Sequence, residues 1–138
     1  MTDILTLHGR VLNAGTAQGE AFVLDVPFSF IGDFDIHTGS LTISHHPLFG
    51  TSIANKVLVC PTGKGGTIAP FIAFRAHQEG TAPLAIVCHR ADPILCECAF
   101  TIGIPLLDSF EQNPVDSIEN GVQLLIEGNT VTARQAPA

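Results

Sequence analysis

The chain has no tryptophan, no tyrosine and a single methionine, and only six of its 138 residues are lysine or arginine. Without a basic patch to neutralise phosphates, or the large polar aromatics on which bases stack, no nucleic-acid partner is expected. Charged residues are also scarce, at 14% against 46% hydrophobic, so the net charge of −7 does not describe a disordered acidic tail. No apolar run approaches the ~18–20 residues of a membrane span, so no membrane association is expected. The start, Met1-Thr2-Asp3-Ile4-Leu5, lacks the basic region and apolar stretch of a secretory leader, which predicts a cytoplasmic protein. The length predicts one domain over residues 1–138. So little charge also hints at a surface that faces a protein partner.

Four cysteines are present: Cys60, Cys88, Cys96 and Cys98. A reducing compartment makes them thiols. Cys60 and Cys88 each close an apolar run, where a free cysteine acts as a small buried hydrophobe. A metal site would draw on Cys88, His89, Cys96 and Cys98. The Cys96-Glu97-Cys98 pair sits in a helix-like stretch opened by Asp92-Pro93, however, and residues two apart on a helix face different ways. The repeated Cys-x₂-Cys spacing of zinc sites is missing, and no metal ligands are assigned.

Along the chain, Ile4–Leu12, Glu20–Asp25 and Ser40–Ile43 read as strands separated by turns, with an irregular stretch at Phe28–Asp35. The second half changes period. Lys56–Cys60, Leu84–Cys88 and Ile104–Asp108 are apolar runs suited to a doubly covered parallel sheet. Between them lie two predicted helices. One is capped by Thr67 and runs to Gln78, with Ile68, Phe71, Ile72 and Arg75 at helical spacing. The other starts at Pro93. Gly121–Glu127 and Thr130–Ala133, joined by Gly128-Asn129, form a hairpin. The last residues, 135–138, are expected to fray. The predicted class is α/β: a β-rich first half closing on a small parallel strand–helix unit.

The strongest chemical feature is the loop Gly63-Lys64-Gly65-Gly66-Thr67, which leaves a buried strand and opens a helix. Backbone N–H groups and the helix dipole converge there, and Lys64 would add positive charge for a carboxylate or phosphate. It is not a Walker A loop, because Lys64 is followed by glycine. His45 and His46 adjoin a Pro-Leu-Phe-Gly turn, where loop packing or backbone hydrogen bonding is expected; His8, His77 and His89 are scattered without an acid at a telling distance, and Gly-x-Ser-x-Gly is absent. Ser29, Asp33 and Asp35 lie in the irregular stretch, where they either face a cleft or serve the turn, the turn-forming role being at least as good a reading.

Taken in order, several motifs resemble the small subunit of aconitase X. They include Leu7–Leu12, Gly19-Glu20-Ala21 with Leu24, Pro27–Phe30, Asp35–Gly39 and His46–Ile53. Lys56–Val59, Gly63-Lys64-Gly65, Gly80–Ile86 and Ala91–Leu95 complete the series, which spans nearly the whole chain. The resemblance implies a swivelling, barrel-like β/β/α domain that closes over a large catalytic subunit carrying an iron–sulfur cluster, with no cofactor held by this chain alone. It further implies a hydro-lyase acting on a small hydroxy acid. Family loops commonly read Gly-Arg/Lys-Gly-Ser-Ser with a serine as proton-abstracting group; here Gly66-Thr67 stands in that place. The base role therefore passes to Thr67, with Gly63, Lys64, Gly65, Gly66 and Ser52 as substrate-binding residues.

The loop's departure from Ser-Ser favours cis-3-hydroxy-L-proline as substrate. Phosphomevalonate, or a non-catalytic small-molecule binding module, is the alternative. A phosphohistidine carrier of similar architecture is disfavoured, because Pro70 occupies the place its histidine would take.

Overall fold

A computed structural model describes residues 2–135. Eight strands form one sheet in the order β1-β8-β7-β3-β4-β5-β6-β2. They are β1 (Thr2–His8), β2 (Arg10–Asn13), β3 (Ala17–Val23), β4 (Val57–Cys60), β5 (Ala85–Cys88), β6 (Leu106–Asp108), β7 (Gln123–Glu127) and β8 (Thr130–Gln135). Helices α1 (Ala69–Glu79), α2 (Pro93–Ile102) and the single turn α3 (Pro114–Ser117) complete the fold.

Strand β3 joins two regimes. Its first residues, Ala17–Glu20, pair antiparallel with β7, while Ala21–Val23 pair parallel with β4. On one side β1, β8 and β7 form an antiparallel ribbon; on the other β4, β5 and β6 run parallel, with α1 and α2 in the crossovers. Alternation along the parallel strands sorts the core into two faces. Leu58, Ile86 and Leu106 pack with Phe22, Phe28, Phe30 and the helices. Val57, Val59, Val87 and Leu107 pack instead against Leu124, Ile126 and Val131 of the antiparallel strands. The result is a three-layer β/β/α domain, the α/β class read from the sequence.

Three local expectations need correction. The first half is less β-rich than its pattern implied: no named strand occurs between β3 and β4, and the antiparallel layer draws on both ends of the chain. Ser40–Ile43 makes isolated bridges only, Ser40 to Ser52 and Leu41 to Phe34. Side-chain bonds compete with a ladder there: the Thr38 hydroxyl accepts from Ser40 N–H, and the Thr42 hydroxyl donates to Gly32 O. Thr67 does not cap α1, whose N-cap is Ile68 without a side-chain bond.

Helix α1 also turns its small side inward. Ala69, Ala73 and Ala76 are buried, whereas Ile68, Phe71 and Phe74 are exposed. An alanine face lets the backbone of α1 lie close to α2, and this overrides the larger residues' pull toward the core. Asp92 caps α2 as expected, accepting from Leu95 N–H at 3.0 Å. Residue 135 closes β8; the remainder of the expected frayed tail, 136–138, lies outside the described residues. No helix among the described residues is long and apolar enough to cross a membrane.

Candidate functional site

Cys60 and Cys88 stand level in the parallel register, so the segments leaving β4 and β5 emerge at the same edge of the sheet. Crevices at the carboxyl ends of parallel strands are where such sheets bind ligands. The segment leaving β4 is Pro61–Ile68. Its Thr62 carbonyl accepts from Phe28 N–H at 3.0 Å, and Gly63 bridges Phe28. Gly63 lies so close to the α2 cap that a Cβ would fall 2.1 Å from Asp92 Oδ1. Glycine is what brings this loop against the start of α2. Gly66 holds φ +97°, and a Cβ there would sit 2.6 Å from Ile31 Cδ1. A serine at this position would meet both backbone strain and Ile31.

Lys64 is half-exposed, and its Nζ lies 2.8 Å from Oδ2 of the buried Asp33. That same oxygen accepts from Ser29 N–H at 3.0 Å, and the Ser29 hydroxyl donates to Gly65 O at 3.1 Å. Asp33 and Ser29 thus hold the glycine loop, a role their turn-like setting in the sequence did not reveal. The free positive charge expected at Lys64 is matched by this carboxylate. Lys64 acts here first as a fastening of the loop, and the loop brings no net positive charge of its own.

Thr67 is exposed, and its hydroxyl has no protein partner among the described residues. The N–H groups of Gly65, Gly66 and Thr67 likewise have no protein acceptor there. The loop thus carries an exposed hydroxyl and three backbone donors without a protein acceptor among the described residues. Behind it, the crevice between Phe28, Lys64, Gly65 and Asp92 has a volume of about 10 Å³, room for no more than one water. Thr67 also borders an open groove of about 420 Å³, lined by Pro70, Phe71, Phe74, Glu97 and Thr101.

Ser52 is not brought to this loop. Its hydroxyl donates to Thr38 O at 2.9 Å and accepts from Ala54 N–H at 3.1 Å. It packs beside Gly39, next to Thr81, whose N–H bonds Ala76 O at the far end of α1. Eleven helical residues, about 16 Å, separate that end from Thr67. Ser52 thus serves a local turn and stands apart from the glycine loop with which it was grouped.

The cysteines do not suit a cluster. Cys60 and Cys88 are fully buried with their sulfurs 3.5 Å apart. The bond to Cys60 and burial hold the Cys88 thiol well above its ordinary range. Burial raises Cys96 and pushes Cys98 up to about 12. Iron–sulfur clusters need thiolates, and Cys88, Cys96 and Cys98 are shifted toward the thiol form. No group of three or more His, Cys, Asp or Glu able to hold a metal occurs among the described residues.

A three-layer β/β/α domain with a glycine loop at its parallel strand ends is the form of a swivel domain. The chain belongs to the aconitase X swivel-domain family, whose sequence profile matches residues 6–133. It is a hydro-lyase small subunit of the aconitase X type. The phosphomevalonate dehydratase small subunit of Methanosarcina acetivorans is 36% identical over 125 residues, covering 91% of this chain and 87% of that protein. The aconitase X of Thermococcus kodakaraensis, solved in its holo-form, superposes with a TM-score of 0.88 at 30% identity, over 96% of this chain and 100% of that one. A 3-isopropylmalate dehydratase of Methanocaldococcus jannaschii shares the fold at TM-score 0.60 and 13% identity, over 90% of this chain and 84% of its own.

Proposed function

We propose that this chain is the small subunit of a phosphomevalonate dehydratase, working with a large subunit to remove water from that phosphorylated hydroxy acid. The carrying observation is nearly full-length similarity to the Methanosarcina small subunit of that name, at 36% identity. It outweighs the loop's departure from Ser-Ser, on which the expectation of cis-3-hydroxy-L-proline rested. The iron–sulfur cluster that the family resemblance implies is assigned to the large subunit, since this chain's buried thiols do not fit one.

On this reading the chain contributes a shaped loop. Gly63 and Gly66 allow its close approach, Asp33 and Ser29 fasten it, and Thr67 presents the hydroxyl that takes the substrate proton. The hydroxyl falls to Thr67 because Gly66, at a positive φ that favours glycine, carries none. A hydroxyl can act as base only as an alkoxide or through a relay, so neighbouring backbone donors must steady the developing charge. The outward-facing Phe71 and Phe74, 74% and 46% exposed, support the partner surface anticipated from the charge-poor composition. Mixing the purified chain with its large subunit and following loss of phosphomevalonate and of cis-3-hydroxy-L-proline tests the proposal. Turnover of the first by the pair, and by neither subunit alone, is expected.

A further inference from the structure

Five of the six Lys and Arg side chains reach a carboxylate within 3.6 Å: Arg10 at Asp108, Lys56 at Glu20, Lys64 at Asp33, Arg75 at Glu79 and Arg134 at Asp3. Arg90 is the exception among the described residues. In a chain of net charge −7 with thirteen carboxylates, an unmatched cation stands out.

Its position stands out too. Arg90 follows β5 by two residues and is exposed at the edge where the glycine loop emerges. The surrounding backbone is pinned on several sides. Its own N–H donates to Pro61 O at 3.0 Å, tying it to the start of that loop. His89 N–H bonds Cys60 O at 3.2 Å, and His89 O accepts from Ser109 N–H at 3.1 Å. Ala91 N–H bonds the buried Asp108 carboxylate at 3.0 Å. A long cationic side chain with no internal partner thus springs from a fixed base beside the loop. Lys64 cannot fill the same role without giving up Asp33.

We infer that Arg90 binds the phosphate group of the substrate, and so supplies this chain's part of the specificity for a phosphorylated hydroxy acid. The inference rests on the proposed phosphomevalonate activity. A guanidinium matches a phosphate with two parallel N–H···O bonds, which an ammonium cannot reproduce. Such a contact serves ground state and transition state alike, so its loss falls on KM.

The test uses the reconstituted two-subunit enzyme with large subunit in excess, comparing wild type, Arg90→Gln, Arg90→Lys and the exposed control Arg75→Gln. Arg90→Gln should raise KM for phosphomevalonate roughly 10–100-fold, the size of a lost charged hydrogen bond, with kcat within about threefold. Arg90→Lys should recover part of this loss and Arg75→Gln should show none of it. Competitive inhibition by inorganic phosphate should weaken in parallel in Arg90→Gln, while inhibition by acetate should not, which separates a phosphate contact from a carboxylate contact. Unchanged KM and phosphate inhibition in Arg90→Gln, in an enzyme active on phosphomevalonate, would overturn the role of Arg90 alone. Weakened acetate inhibition with intact phosphate inhibition would overturn the phosphate assignment. A wild-type pair that leaves phosphomevalonate intact would overturn the substrate reading, and this inference with it.

Discussion

The antiparallel ribbon and the carboxyl ends of the parallel strands use charge in different ways. On the ribbon, Arg134 pairs with Asp3 at 2.9 Å, and Asp3 is 59% exposed. At the parallel ends the carboxylates are buried: Asp108 accepts Arg10 through two bonds of 2.9 and 3.0 Å, and Asp33 holds Lys64. Solvated pairs of the first kind contribute little, because water competes for both partners. Buried carboxylates of the second kind position backbone, since each also takes an N–H from a loop: Ala91 for Asp108 and Ser29 for Asp33. Charge near the candidate site is therefore structural, which is why the one unmatched arginine there carries meaning.

Breaking the contrast at its strongest point should give the largest effect. Asp108→Ala removes the acceptor for Arg10 and Ala91 in a fully buried setting, and should lower unfolding free energy by about 3 kcal/mol in urea titrations. Acid titration sharpens the same point. Burial pushes the Asp108 carboxyl up, but the bonds from Arg10 and Ala91 outweigh it and hold the group below its ordinary value. Its stabilising contribution is thus fully present above about pH 4, the unfolded value, and is lost as pH falls through the lowered folded one. Asp108→Asn should flatten the decline of wild-type stability below pH 4; an equally steep decline would remove Asp108 from the account.

At the loop, Thr67→Ala should cut turnover of the paired enzyme at least about a hundredfold, with assembly intact by size-exclusion chromatography. Near-wild-type turnover would show that another group moves the proton. The smallest effect belongs to the ribbon. Arg134→Ala should change stability by less than about 0.5 kcal/mol, and a loss approaching that of Asp108→Ala would erase the distinction between the two regions.

The sequence was most legible where a signal is local. Asp92-Pro93 announced the cap of α2, Gly128-Asn129 the β7–β8 turn, and the apolar run at 57–60 a doubly covered strand. It was least legible where distant residues decide. Lys64 looked like a free cation because Asp33, thirty-one positions earlier, is brought to it by the fold alone. The helical spacing of Ile68 and Phe71 could not show that the alanines of α1 take the buried face. Ser52 entered through family resemblance, and its hydroxyl turned out to close a local turn. Arg90 carried no motif; its singularity appears only when every other cation has found its partner.

The most direct measurement is the dehydratase assay of the reconstituted pair, run in parallel on phosphomevalonate and cis-3-hydroxy-L-proline with each subunit alone as control. The account predicts loss of water from phosphomevalonate by the pair and by neither subunit separately. Turnover of cis-3-hydroxy-L-proline with phosphomevalonate left intact would contradict it.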